Sequence, residues 1–203
     1  MSEGTDVSVS PQERISHVVR RLGIGAHGQL VAGITSVDEA IATALDLTAE
    51  PAPPPQIPAP RDVDDARRAE QRRLPAEFWF TQMIQSGRLI EERLVWFWHD
   101  HFATSIRKVR FPYLMWRQHL TIRRFATGSF ADLLHAMATD PALLLYLDGV
   151  DNQAGAVNEN FGREVMELFT MGRGTYAEAD VVACAQSCTG WVVFIPRPGR
   201  ERS

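Results

Sequence analysis

Lysine is almost missing from this 203-residue chain: Lys108 is the only one, and every other basic residue is arginine. Cysteine is scarce as well, with Cys184 and Cys188 the full complement. Spacing of four on a helix aligns two thiols badly for a disulfide, and one pair is half a metal site at best, so a disulfide-stapled miniprotein is excluded. No run of about 18 apolar residues occurs, and no membrane span is expected. The best apolar stretch, Leu143 to Leu147, is bounded by Asp140 and Asp148. Neither charge dominates: 21 basic against 25 acidic residues give a net charge of −4, which argues against nucleic acid as the main partner. The opening Met1-Ser2-Glu3-Gly4-Thr5-Asp6 carries acids and no apolar core, unlike a secretory leader, so the expected location is cytoplasmic. Also missing are a phosphate-binding Gly-x-x-x-x-Gly-Lys loop, a Gly-x-Ser-x-Gly elbow, His-Glu-x-x-His and Cys-x-x-Cys.

What is present is helical punctuation. Ser10-Pro11-Gln12-Glu13 predicts a capped helix through Ile15, Val18, Val19 and Leu22, stopped by Gly23 and Gly25. Ser36-Val37-Asp38-Glu39 predicts a second, through Ala40, Ile41, Ala44 and Leu45. Six prolines between Pro51 and Pro60 predict an extended connector. Beyond it come a charged run to Arg73, a restart at Pro75 and a helix from Arg88 to Phe102. Further starts follow at Pro112, Ser129, Asp140-Pro141 and Asn158, with a last capping box at Thr175 to Glu178. Only Trp191 to Ile195 looks strand-like. The expected fold is all-α, an irregular multi-helix bundle of about eight to ten helices. The expected organisation is an N-terminal segment 1–48, the connector 49–60, one main helical region 61–195 and a tail 196–203.

Three clusters could carry chemistry. In Asn158-Glu159-Asn160-Phe161-Gly162-Arg163-Glu164-Val165-Met166-Glu167-Leu168-Phe169, regular helical spacing makes Glu159, Arg163 and Glu167 successive neighbours, with Glu164 one turn from Glu167. An arginine between carboxylates keeps both ionised and fixed, which suits a catalytic site, a metal site or a structural network. The candidate catalytic set is Glu159, Arg163, Glu164 and Glu167, with Asn158 and Asn160 orienting them. In Trp96-Phe97-Trp98-His99-Asp100-His101-Phe102, two imidazoles spaced by two residues diverge on a helix and converge only where it ends. His99, His101 and Glu164 are the candidate ligands of a divalent metal serving hydrolytic or redox chemistry. The third cluster is Arg107, Lys108, Arg110, Arg117, Arg123 and Arg124, in a stretch with no acid between Asp100 and Asp132 and with Phe111, Tyr113, Trp116 and Phe125 interleaved. It would suit a phosphate or a nucleic acid; the alternative pairs these arginines with the acids that follow Asn158.

Read in order, Trp98-His99-Asp100-His101-Phe102, Asp140 to Asp148, Asn158 to Glu164, Met166 to Phe169 and Thr189-Gly190-Trp191 make the chain recognisable. Together with His17 to Gly23 they resemble the bacterial family called domain of unknown function 1800, over roughly Ile15 to Val193. The resemblance implies a helical fold and no established activity. The chain departs from the family pattern at Val157, usually proline, at Gly162, usually alanine, and at Gln186, usually arginine. It also implies the N-terminal half of a longer protein, so a partner chain or a missing C-terminal half is expected to cover apolar surface. Two functions emerge as expectations: a metal-binding or hydrolytic site in the His/Glu/Arg/Asn cluster, or an interaction or scaffold module in which that cluster is structural.

Overall fold

Short polar caps ahead of apolar runs decide where the helices begin. In the computed structural model, which describes residues 9–25, 28–58 and 65–194, the first helix is α1 (Pro11–Leu22). The Ser10 hydroxyl accepts from the Glu13 amide at 3.2 Å, and the Glu13 carboxylate accepts from the Ser10 amide at 2.8 Å. This box satisfies amides that the first turn would leave open. Ser36 caps α3 (Val37–Leu45) in the same way. Between them the glycine-punctuated sequence hides a short helix, α2 (Gly28–Ala32).

The described residues form eleven α-helices and no strand, arranged in two compact units. The first unit is Met1–Pro53 with Trp79–Leu94, and its core is Ile15, Val19, Val31, Ile34 and Ala40 with Leu89 packed against them. The second is Pro54–Phe78 with Val95–Ser203. One division lies within the proline-rich stretch. The others lie inside α4 (Asp65–Gln85) and α5 (Leu89–His101), where composition gives no sign of a boundary. Pro75 does not restart a helix as expected; α4 runs through it. Proline there removes one backbone hydrogen bond and crowds the preceding turn, and the Arg73–Glu77 ion pair at 2.6 Å spans the interruption.

In the second unit, α6 (Ile106–Val109), α7 (Pro112–Phe125) and α9 (Pro141–Tyr146) meet at Val109, Leu114 and Ala142. Between α7 and α9 comes α8 (Phe130–Ala138), capped by Ser129. The expected strand is not formed: Trp191 to Phe194 has no ladder partner, Val193 packs against the Val109 cluster, and Val192 is 82% exposed. Ile195, the tail at 196–203 and the opening six residues lie outside the described residues.

In this unit α10 (Glu159–Glu164) packs closely against α11 (Glu178–Ser187). A Cβ built on Gly162 would sit 2.8 Å from the Ala185 amide nitrogen and 3.0 Å from its Cα, both backbone atoms that cannot swing aside. Glycine is therefore required if the helices are to touch here. Gly162→Ala should destabilise the chain by about 1–3 kcal/mol. Gly33→Ala, where the nearest such atom is 3.8 Å away, should be nearly neutral, and urea melts of both variants make the comparison.

Candidate functional site

The Asn158–Phe169 motif begins as expected, with the Asn158 side chain accepting from the Asn160 amide at 3.0 Å to cap α10. It does not continue as one regular helix. Val165–Thr170 forms a π turn, in which the Met171 amide donates to the Met166 carbonyl five residues back at 2.8 Å. A π turn inserts one residue into the helical repeat and rotates the residues after it. Phe161, Met166 and Phe169 are buried, whereas Leu168 is 56% exposed.

The same insertion breaks the expected Glu159–Arg163–Glu167 ladder. Arg163 reaches Glu159 at 3.6 Å and pairs more closely with Glu178 on α11. Glu167 turns to the loop ahead of α11, where Arg173 pairs with it and the Tyr176 hydroxyl donates to it at 2.9 Å. The bond from Arg173, with that from Tyr176, holds the Glu167 carboxyl below the ordinary carboxylate range. Burial, then the Glu167 contact, raises the Tyr176 phenol. Glu164 is half-buried and takes no part in these hydrogen bonds. The expected box at Thr175 is also displaced: α11 is capped at Ala177, whose amide donates to Asp180 at 2.8 Å, while the Thr175 hydroxyl donates to the Gly172 carbonyl at 3.1 Å.

The asparagines form a closed backbone network around a residue that sequence reading passed over. Asn152, 1% exposed, donates from Nδ2 to the Ala185 carbonyl at 2.7 Å and accepts from the Asn158 amide at 2.9 Å. Its own carbonyl accepts from the Gly190 amide at 3.0 Å. Asn158 Nδ2 donates to the Asp148 carbonyl at 2.9 Å, and Asn160 Nδ2 donates to the Leu147 carbonyl at 3.2 Å. Nothing in the spacing of Asn152 marks it, because its partners are backbone atoms 6 and 33 residues away.

The two candidate histidines end α5 in different surroundings. His99 is packed 6.1 Å from the ring of His119, which stacks on Trp116 at 5.2 Å. Burial pushes the His99 imidazole below its ordinary value, and burial with nearby Arg123 and His99 pushes His119 well below. His101 donates from Nε2 to the Phe169 carbonyl at 3.1 Å, inside a ring of Phe97, Trp98, Phe102, Phe130 and Phe169. Although α5 ends at His101, the helix does not fray early enough to turn both imidazoles to one point. Among the described residues, no three His, Cys, Asp or Glu side chains come together as a metal site, and His99, His101 and Glu164 are not brought into one group.

A second buried polar chain was legible only as a cap. The Thr104 hydroxyl donates to Gln118 Oε1 at 2.6 Å, Gln118 Nε2 donates to Asp140 Oδ1 at 2.8 Å, and the Leu143 amide donates to the same oxygen at 2.9 Å. Burial raises the Asp140 carboxyl to about 6 despite those donors.

Fold and site together define an all-helical protein organised around an asparagine-capped helix that passes into a π turn. The chain belongs to the family described as "Protein of unknown function (DUF1800)", which matches residues 17–201. No curated protein and no solved structure matches it. Among the described residues no helix is long and apolar enough to cross a membrane.

The buried acid and imidazoles impose opposite pH dependences. An aspartate ordinarily titrates near 3.8. Between about pH 4 and pH 6 the folded chain holds a proton on Asp140 that the unfolded chain has released, so this contribution to stability falls as pH rises through that window. For His99 and His119 the unfolded chain takes the proton first, so their contribution falls as pH drops below about 6.5. Asp140→Asn keeps an oxygen for the cap and should gain on the order of 2–3 kcal/mol over the parent between about pH 4 and pH 7. His119→Phe should flatten the acid side. Urea unfolding across this range reads both.

Proposed function

We propose that the chain serves as a helical interaction module in which the Asn158–Phe169 motif is an internal framework. The observation that carries this reading is the destination of the motif's hydrogen bonds. Asn158 and Asn160, with Asn152, direct their side chains to backbone groups of the same unit. Amides so bound fix the register of neighbouring elements and have little capacity left for a substrate. The carboxylates behave similarly: Glu159 and Glu178 flank Arg163, and Glu167 is held by Arg173 and Tyr176. Large apolar side chains at the surface of this unit, among them Leu168, Trp191 and Val192, supply the means of docking.

On this reading Asn152→Ala strips two buried backbone groups of their partner and should cost about 2–4 kcal/mol. Elemental analysis of the purified protein tests the competing hydrolytic reading. The module reading expects no stoichiometric divalent metal and no change in bound metal on His101→Ala or Glu164→Ala. A metal bound one-to-one and lost in either variant overturns it.

A further inference from the structure

We infer that the outward side of α6 and α7 is a surface for the phosphate backbone of duplex nucleic acid. The inference rests on how the structure sorts the six cations of the acid-free stretch. Lys108 is neutralised by Asp148 at 2.8 Å and lies over the Tyr146 ring. Arg123 is half-buried with its guanidinium over Phe78. The other four, Arg107, Arg110, Arg117 and Arg124, are exposed and form no ion pair with a described carboxylate. They do not meet the acids that follow Asn158, the pairing the sequence left open. Of those acids, Glu159, Glu167 and Glu178 are instead matched by Arg163 and Arg173.

Exposure places each of the four on the solvent side of its own element. Arg107 and Arg110 flank buried Val109 on α6, which packs against α7. Arg117 and Arg124 are seven residues apart on α7, so they share one side at a rise of about 10.5 Å. The net charge of −4 does not cancel this face, because at 0.1 M salt charges farther than about 10 Å are largely screened.

The side chains around the face select the partner. Phe111, Tyr113 and Met115 pack against the Val109–Leu114–Ala142 cluster, so they are not available to stack on unpaired bases. What remains is guanidinium, whose planar fork matches phosphate oxygens. Recognition of this kind positions a duplex without reading its sequence.

The test is fluorescence anisotropy of the full chain with a labelled mixed-sequence duplex of about 20 base pairs. The matching single strand and phosphatidylserine vesicles serve as comparisons. Four phosphate contacts predict a log–log salt slope of about −3.6, an affinity loss of about 150-fold between 50 and 200 mM salt. In R117Q/R124Q the slope should fall to about −1.8 and the loss to about 10-fold, whereas R117K/R124K should keep the parent slope. Absence of duplex binding at 50 mM salt overturns the inference, as does a slope unchanged by the glutamine pair. So does equal loss in the glutamine and lysine pairs, or tighter binding to the single strand or the vesicles.

Discussion

The side chain and carbonyl of Asn152 bring together three stretches of backbone that are far apart in sequence: the start of α10, the last turn of α11 and the glycine that follows it. A buried amide is costly unless all its polar atoms are satisfied, so α10 and α11 must hold the register in which those bonds close. That register places Gly162 against Ala185, and the contact admits no side chain at 162. Arg163 is thereby delivered to Glu178 across the helix pair. Asn158 and Asn160 extend the same constraint to the carbonyls of Asp148 and Leu147 at the end of α9.

Much of the fold could be read in advance where the information is local. Ser10, Ser36, Ser129, Asp140 and Asn158 are caps because a short polar side chain can reach an amide two or three residues on, and all five do so. The misses share a different character. Whether Pro75 ends a helix depends on what holds the turns on either side of it, and the α2 and α6 helices are too short to show a period. The division into two units inside α4 and α5 depends on long-range packing that no window of sequence contains.

The candidate site was legible as a set of residues and less so as a set of relationships. Glu159 and Arg163 meet as regular helical spacing requires, because α10 is regular up to Glu164. Glu167 lies beyond the start of the π turn, and its partners Arg173 and Tyr176 come from the loop leading to α11. Asn152 and Gln118 carried no pattern at all, since their partners are polar groups distant in sequence, and the spacing of His119 gives no sign that it meets the ring of His99 on α5. The histidines show the limit most plainly. Their spacing fixed that they diverge, but only the packing of His119 and the Phe169 carbonyl decides where each one goes.

The π turn also bears on how relatives of this chain should be compared. An aligner that treats Asn158 to Thr170 as one uniform helix will score Leu168 as a core position and expect apolar residues there in every homologue. In this structure the position belongs to the surface, and Met166 and Phe169 hold the interior. Substitution at 168 should therefore follow the freedom of an exterior site, and a homologue one residue shorter between 165 and 170 would form an uninterrupted α-helix with its downstream residues on the faces they hold here. Loss of one residue at this point would change the surface of the turn itself and leave the packing on either side in place.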